Sequence, residues 1–258
     1  MPCETAVSPQ TILSECPRLA LDDGFTFRCG PDLDCFGKCC HDVNIVLTPY
    51  DVLRLKLALH MDSSEFLEKH TMRVEGEKFP IVILRMESAD KTCPFVSTRG
   101  CGVYADRPWA CRMYPLGAAE PKNPTPNDKA FHFVLREDLC HGHGLGREMR
   151  VREWIADQGA EAYEMMSGGF KELTLHGFWD GDHPMSAAQA DMFYMACYDL
   201  DRFRRFVFET RFLERIEVDE ARVEALCNDD EELHEFAMQW LRFAIFGDRS
   251  MKVRRNGR

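Results

Sequence analysis

The sequence predicts an α+β fold, mostly helical, and three observations lead there. Short apolar runs rich in β-branched residues are confined to roughly the first 150 residues of the 258-residue chain. Beyond about Arg150, apolar residues recur instead at spacings of three and four, the period of an amphipathic helix. Eight of the twelve cysteines fall between Cys29 and Cys140. The chain therefore reads as an N-terminal extension over 1–24, a cysteine-cluster domain with short strands over 25–150, and a C-terminal helical segment over 151–258.

Taken in order, Ile45-Val46-Leu47 is a short strand candidate. Thr48-Pro49-Tyr50-Asp51 then supplies an N-cap, a proline at the first helical position and an acid in the first turn. The leucine-rich run that follows predicts a helix to about His60, and a second helix starts at Ser63 or Ser64. Residues 80 to 86, PIVILRM, read as a strand. A short helix beginning at Pro108 carries Cys111. Residues 118 to 128 hold three prolines and read as a loop, and residues 130 to 135, AFHFVL, as a further strand leading to Cys140 and a glycine-rich turn, HGHGLG. In the C-terminal part, one helical run extends from Asp191 to Ile216, with Phe193, Cys197, Leu200, Phe203 and Val207 on one face. Another carries Leu233, Phe236, Trp240 and Ala244 and stops at Gly247, with the acids of 229–232 at its start.

Composition narrows the function. The chain is 45% hydrophobic and 29% charged, a globular balance. Its formal net charge is -11, with 43 acidic against 32 basic residues, which argues against general nucleic-acid binding, since phosphate backbones are held by clustered Lys and Arg. No apolar run reaches the roughly 18 residues of a membrane span, and the start lacks the basic and apolar regions of a signal peptide. A cytoplasmic location is expected, and in a reducing compartment the cysteines are not expected to form disulfides.

The clustered cysteines are Cys29, Cys35, Cys39, Cys40, Cys93, Cys101, Cys111 and Cys140, separated by 5, 3, 0, 52, 7, 9 and 28 residues. Soft thiolates select zinc, copper(I) or iron-sulfur clusters, and four of them complete a closed zinc site or a cubane. Eight suffice for two mononuclear sites or one polynuclear site. Adjacent side chains point in different directions, so Cys39 and Cys40 suit two metals, or one ligand and one supporting sulfur. Lys38, Arg99, Arg107 and Arg112 flank these cysteines, while Gly30, Gly37, Gly100 and Gly102 let backbone amides approach sulfur. Cys3, Cys16, Cys197 and Cys227 stand apart and are not expected to be ligands.

Three blocks carry a family resemblance: CFGKCCHDVNIVLTPYDVLRL, CPFVSTRGCGVYADRPWACRMYPLG and CHGHGLGREMRVREWI. Together they resemble the YkgJ-type cysteine-cluster proteins, also described as the CxxCxxCC family with a zinc- or iron-chelating domain of eight cysteines. The resemblance implies that those eight fall on the eight residues above, and that the group is commonly an iron-sulfur cluster, with zinc as the alternative. The first block here is looser than the family name, which makes Cys29 the least secure ligand. A flagellin lysine methylase is similar to this group in its cysteine cluster, so an iron-sulfur enzyme related to protein lysine methylation is the alternative reading. No GxGxG loop follows a strand, and Ser167-Gly168-Gly169-Phe170 is a weak substitute for one.

Other candidates carry less. His41, His141 and His143 adjoin the cysteines and are possible ligands, although histidines in glycine-rich turns more often face solvent. A thiol nucleophile is a poor match, because a metal would sequester it, and no CxxC redox pair is present. The leading expectation is a metal-binding protein with a structural or redox role. A protein partner docked on the C-terminal helices would require Phe193, Phe203, Phe206, Phe208 and Phe212 to form an exposed patch.

Overall fold

A computed structural model describes residues 3–4, 16–87, 89–120, 130–181 and 184–254. Contacts divide the chain into two units, each built from two stretches: Met1–Asn44 with Met86–Ala162, and Ile45–Arg85 with Tyr163–Arg258. The segments 25–150 and 151–258 partition the chain by position, whereas these units partition it by contact, and residues 45–85 group with the C-terminal helices.

In the first unit, strand Gly24–Phe27 pairs antiparallel with His143–Arg150, Met149 opposite Phe25 and Arg150 opposite Gly24. Strand Phe131–Arg136 pairs antiparallel with Leu116–Ala119 and parallel with Cys3–Glu4. A small hairpin joins Val96–Ser97 to Gly100–Cys101. The core gathers Phe25, Phe27, Met113, Leu116, Met149, Val151, Trp154 and Ile155. Phe25 and Phe27 each meet the Trp154 ring edge-on at 5.7 Å, and the Trp154 indole N–H donates to the Met113 carbonyl at 3.2 Å.

Three expectations are corrected here. The glycine-rich HGHGLG run is the start of strand His143–Arg150 and not a plain turn: Gly144 and Gly146, at φ +77° and +86°, make an irregularity in the pairing, and the partner strand overrides their weak strand propensity. Ala118 and Ala119 belong to strand Leu116–Ala119, while residues 121–129 of the expected loop lie outside the described residues. Cys16 is disulfide-bonded. It packs with Phe131 and Phe133, apart from the eight clustered cysteines, so an argument from compartment did not reach it.

In the second unit, helix Pro49–Ala58 opens with a reciprocal cap: the Asp51 N–H donates to Thr48 Oγ1 at 3.1 Å, and the Thr48 N–H to Asp51 Oδ2 at 2.8 Å. Helix Ser63–His70 follows, and Pro80–Leu84 is the middle strand of a sheet flanked by Val46–Leu47 and Thr71–Glu75. The run from 191 to 216 is not continuous. It breaks into Ala187–Tyr198, Leu200–Glu209 and Phe212–Arg215. At the first break the Asp199 carboxylate accepts the Ser63 hydroxyl at 2.7 Å and the Ser64 hydroxyl at 2.8 Å, and Asp199 leaves helical geometry at ψ 67°.

Helix Asp230–Leu241 runs on through the π-helical turn Arg242–Phe246 to Gly247 at φ +67°, and the Asp229 carboxylate caps its start. Phe203 is fully buried against Phe236 and Trp240, at ring separations of 6.4 and 5.4 Å. Phe193 and Phe212 are buried too, and Phe206 and Phe208 are half-buried, so none of the five forms an exposed patch. Gly168 and Gly169 open helix Gly168–Thr174, and a Cβ on Gly169 would lie 2.9 Å from Met238 Cβ. Close helix packing thus accounts for that glycine. Cys197 is buried, and Cys227 lies exposed near the end of helix Glu220–Asn228. Among the described residues no helix is long and apolar enough to cross a membrane.

Lys56, only 5% exposed, holds Asp201 Oδ2 and Asp230 Oδ2, each at 2.9 Å. Burial alone would raise both carboxyls. Hydrogen bonds from Lys56, with Ser63 for Asp201 and Arg204 for Asp230, outweigh it and hold both below the ordinary range.

Two outcomes are expected. Phe203→Ala lowers stability by about 3–5 kcal/mol in urea unfolding, because the cavity it leaves is walled by rigid rings. A depressed carboxyl contributes stability that is present above its unfolded pKa, about 3.9, and lost as pH falls through the folded value. Urea midpoints measured from about pH 5 to pH 2 therefore fall more steeply for the natural protein than for Lys56→Met, in which the two carboxyls are less depressed.

Candidate metal centre

All eight cysteines predicted as ligands belong to the first unit and are free thiols. Cys35 is buried, Cys39, Cys40, Cys93, Cys101 and Cys140 are half-buried, and Cys29 and Cys111 are exposed. Cys29 follows strand Gly24–Phe27. Beside it the Arg28 N–H donates to the Gly142 carbonyl at 3.1 Å. A Cβ on Gly142 would come within 2.3 Å of the Arg28 carbonyl oxygen, so only glycine lets these backbones meet and bring Cys140 toward Cys29. The next residue, His141, donates its backbone N–H to Cys35 Sγ at 3.3 Å.

Cys39 and Cys40 sit in the single 3-10 turn Lys38–Cys40, entered through Gly37 at φ +80°. Its N–H groups are bonded back to the preceding loop, Lys38 to Cys35 O and Cys40 to Gly37 O, each at 3.0 Å. The Cys93 N–H donates to the Cys40 carbonyl at 2.8 Å, and His41 pairs with Thr92 next to it. Cys101 is opposite Val96 in the small hairpin, and Cys111 rides on the short helix Trp109–Met113.

The electrostatics are those of crowded sulfur. Burial, then the charges of Cys39, Cys140 and Cys35, push the Cys29 thiol up, against a backbone hydrogen bond from Gly30. Burial, and to a smaller degree Cys101, push Cys93 up against backbone hydrogen bonds from Phe95 and Val96. The vicinal pair shares a hydrogen bond that holds Cys39 down to about 7 and drives Cys40 upward. N–H donors aimed at sulfur are what a bound thiolate requires of its surroundings.

Of the flanking cations, Lys38 and Arg99 are exposed, whereas Arg107 and Arg112 are each 7% exposed. Arg112 donates to the carbonyls of Arg107 at 3.0 Å, Gln158 at 2.7 Å and Ala105. Arg107 donates to the Tyr104 carbonyl at 2.6 Å and to the Gln158 side chain, and its guanidinium lies over the Tyr104 ring. Burial lowers the Arg107 pKa, while the nearby thiols of Cys111 and Cys101 act in the opposite sense. These two arginines thus frame the Cys101 to Cys111 segment and carry buried positive charge beside it.

The histidines separate. The donor atoms of Asp34, Cys35 and His141 lie within 4.8 Å of one another, the only group of three such donors that close among the described residues, with His141 Nδ1 2.6 Å from Asp34 Oδ1. His41 Nδ1 is 3.1 Å from the Gly37 carbonyl. The His143 ring packs on Phe27 at 5.3 Å and does not face solvent as a turn residue would; burial lowers its pKa. Asp34 and Gln158 are participants that sequence reasoning did not single out, since neither stands in a metal-ligand pattern.

The donor set fits a soft metal or an iron-sulfur cluster: eight free thiols, N–H groups directed at several of them, and two buried cations. The Tyr114 hydroxyl adds an independent sign. It is buried beside Cys140 and Glu137 with no well-formed hydrogen bond, and burial first, then the interaction with Cys140, push its pKa far up. Were Cys140 ionised on a metal, its sulfur would be a strong acceptor for this hydroxyl.

Residues 28–141 match the family model CxxCxxCC, described as "Putative zinc- or iron-chelating domain". No curated protein and no solved structure matches the chain. The cysteine unit is thus, at the level of the domain, metal-chelating, of the zinc or iron type.

Arg112→Met is expected to weaken metal retention by about 10–100-fold, the range seen when groups supporting metal ligands are removed. Competition with a chromogenic chelator measures it. Arg99→Met, on the exposed side, leaves retention unchanged.

Proposed function

We propose that the first unit holds iron, as iron-sulfur, through Cys29, Cys35, Cys39, Cys40, Cys93, Cys101, Cys111 and Cys140, in a structural or redox role. The observation that supports this reading is that eight free thiols, on four separate chain segments, belong to one compact unit, with backbone N–H groups directed at Cys29, Cys35 and Cys93. Iron-sulfur is preferred to zinc on the family resemblance, and the N–H donors to sulfur suit it, since hydrogen bonds to cluster sulfurs tune the reduction potential.

The structural part of this role follows from how little regular structure links the ligand loops. The turn Lys38–Cys40, the hairpin Val96–Cys101 and the helix Trp109–Met113 are each a few residues long. Elements this short do not persist by themselves, and a common metal centre would tie them together.

Anaerobic purification followed by metal analysis and visible absorption tests the assignment. A brown protein with iron and acid-labile sulfide is expected, and a colourless protein with stoichiometric zinc overturns it. Chelation is expected to remove stability on the order of 10 kcal/mol from this unit. Coincident thermal melts of the loaded and stripped protein would refute the structural role.

A further inference from the structure

We propose that Asp34, Cys35 and His141 together hold one divalent ion of the zinc type, as an oxygen, a sulfur and a nitrogen ligand, with the fourth position open to solvent. The inference rests on the chelation reading above and narrows it in one respect: Cys35 serves this ion, and the other thiols are left for the iron-sulfur centre, of which a cubane needs about four.

Two loops far apart in the chain build the group. Turns closed by the Leu33 N–H on the Gly30 carbonyl at 3.1 Å and by the Phe36 N–H on the Leu33 carbonyl at 3.0 Å present Asp34 and Cys35 next to each other. His141, 106 positions beyond Cys35, follows a turn closed by the Cys140 N–H on the Glu137 carbonyl at 2.9 Å. The Arg28 N–H, donating to the Gly142 carbonyl at 3.1 Å, holds that second loop in place. Backbone bonds therefore set the meeting without help from an ion. His141 then reaches its two neighbours by different atoms: its ring Nδ1 lies 2.6 Å from Asp34 Oδ1, and its backbone N–H donates to Cys35 Sγ at 3.3 Å.

An exposed carboxylate beside an imidazole is, by itself, an ordinary surface contact. Cys35 makes it more than that. Its residue is buried, yet its sulfur belongs to the same group, all three donor atoms falling within 4.8 Å of one another. Donors bonded at about 2.0–2.3 Å to a tetrahedral ion stand roughly 3.3–3.6 Å apart. Shifts of about 1 Å thus close the group on an ion, and the side chains of His141 and Asp34, 50% and 73% exposed, are free to make them. Zinc is the ion that accepts all three kinds of donor, and three protein ligands with a solvent-facing fourth position are the arrangement of open zinc sites. Binding sends the Cys35 proton to solvent, while the imidazole binds neutral, with its proton on the nitrogen away from the ion. The His141 N–H stays on the thiolate and supports it.

The test uses the full-length protein, stripped anaerobically, labelled with nitrogen-15 histidine, titrated with cadmium-113 and read by cadmium NMR. One cadmium signal coupled to a histidine nitrogen is expected. His141→Ala and Cys35→Ser should each abolish that coupling in protein whose circular dichroism matches the parent, whereas His41→Ala and His143→Ala should keep it. Asp34→Asn should weaken retention of the same cadmium by about 10–100-fold in chelator competition. Cadmium signals without histidine coupling in the unmutated protein overturn the mixed site while leaving chelation by the cysteines intact. So do a coupling that survives His141→Ala, one lost in His41→Ala or His143→Ala, and unchanged retention in Asp34→Asn. No cadmium bound at all refutes chelation itself, and the site with it.

Discussion

The cysteine unit is shaped by one electrostatic constraint: sulfur atoms able to ionise must be held within reach of one another. Two unit charges 4 Å apart repel by about 4 kcal/mol at an effective dielectric near 20. Cys39 and Cys40 show the accommodation in miniature, one thiol held down and the other driven up by the single proton between them. Elsewhere the repulsion is met by dipoles, with N–H groups of Gly30, His141, Phe95 and Val96 turned toward sulfur. Such an arrangement stabilises negative sulfur that the folded chain alone would keep protonated.

Holding loops in those positions takes a frame that does not depend on the sulfurs. The aromatic core around Trp154 fixes strand Gly24–Phe27 against His143–Arg150, and so fixes the strand ends from which Cys29 and Cys140 depart. Arg107 and Arg112 secure the other side. Their donors are engaged by carbonyls and the Gln158 amide, so they stiffen the segment before Cys111 while lending it charge. The second unit shows the same economy with other chemistry, where Lys56 between two carboxylates joins helix Pro49–Ala58 to Leu200–Glu209 and Asp230–Leu241.

Much of this was legible in the sequence because its causes are local. Thr48-Pro49-Tyr50-Asp51 announces a helix start by the same atoms that cap it, and the spacing of Phe203 and Val207 states which face is buried. What was not legible depends on partners far along the chain. Asp199 breaks a helix because Ser63 and Ser64, some 135 residues earlier, offer it hydroxyls. Gly144 and Gly146 lie within a strand because the residues on either side, His143 and Glu148, pair with Phe27 and Thr26, and the glycines fill the irregularity between them. Arg99 and Arg112 look alike beside a cysteine, and only the carbonyls that surround Arg112 distinguish a buried clasp from a solvated charge.

Exposure of the sulfurs adds a further step. Cys29 and Cys111 are the two open to solvent, and Cys35 is the most deeply buried. A centre whose ligands were all sealed could be filled only as the chain folds, whereas an exposed thiol beside half-buried ones would leave a soft metal ion a point of entry. The framework around Trp154 and the arginine clasp uses no sulfur, so the segments that depend most on a metal are the short ligand-bearing ones, the turn Lys38–Cys40 and the hairpin Val96–Cys101.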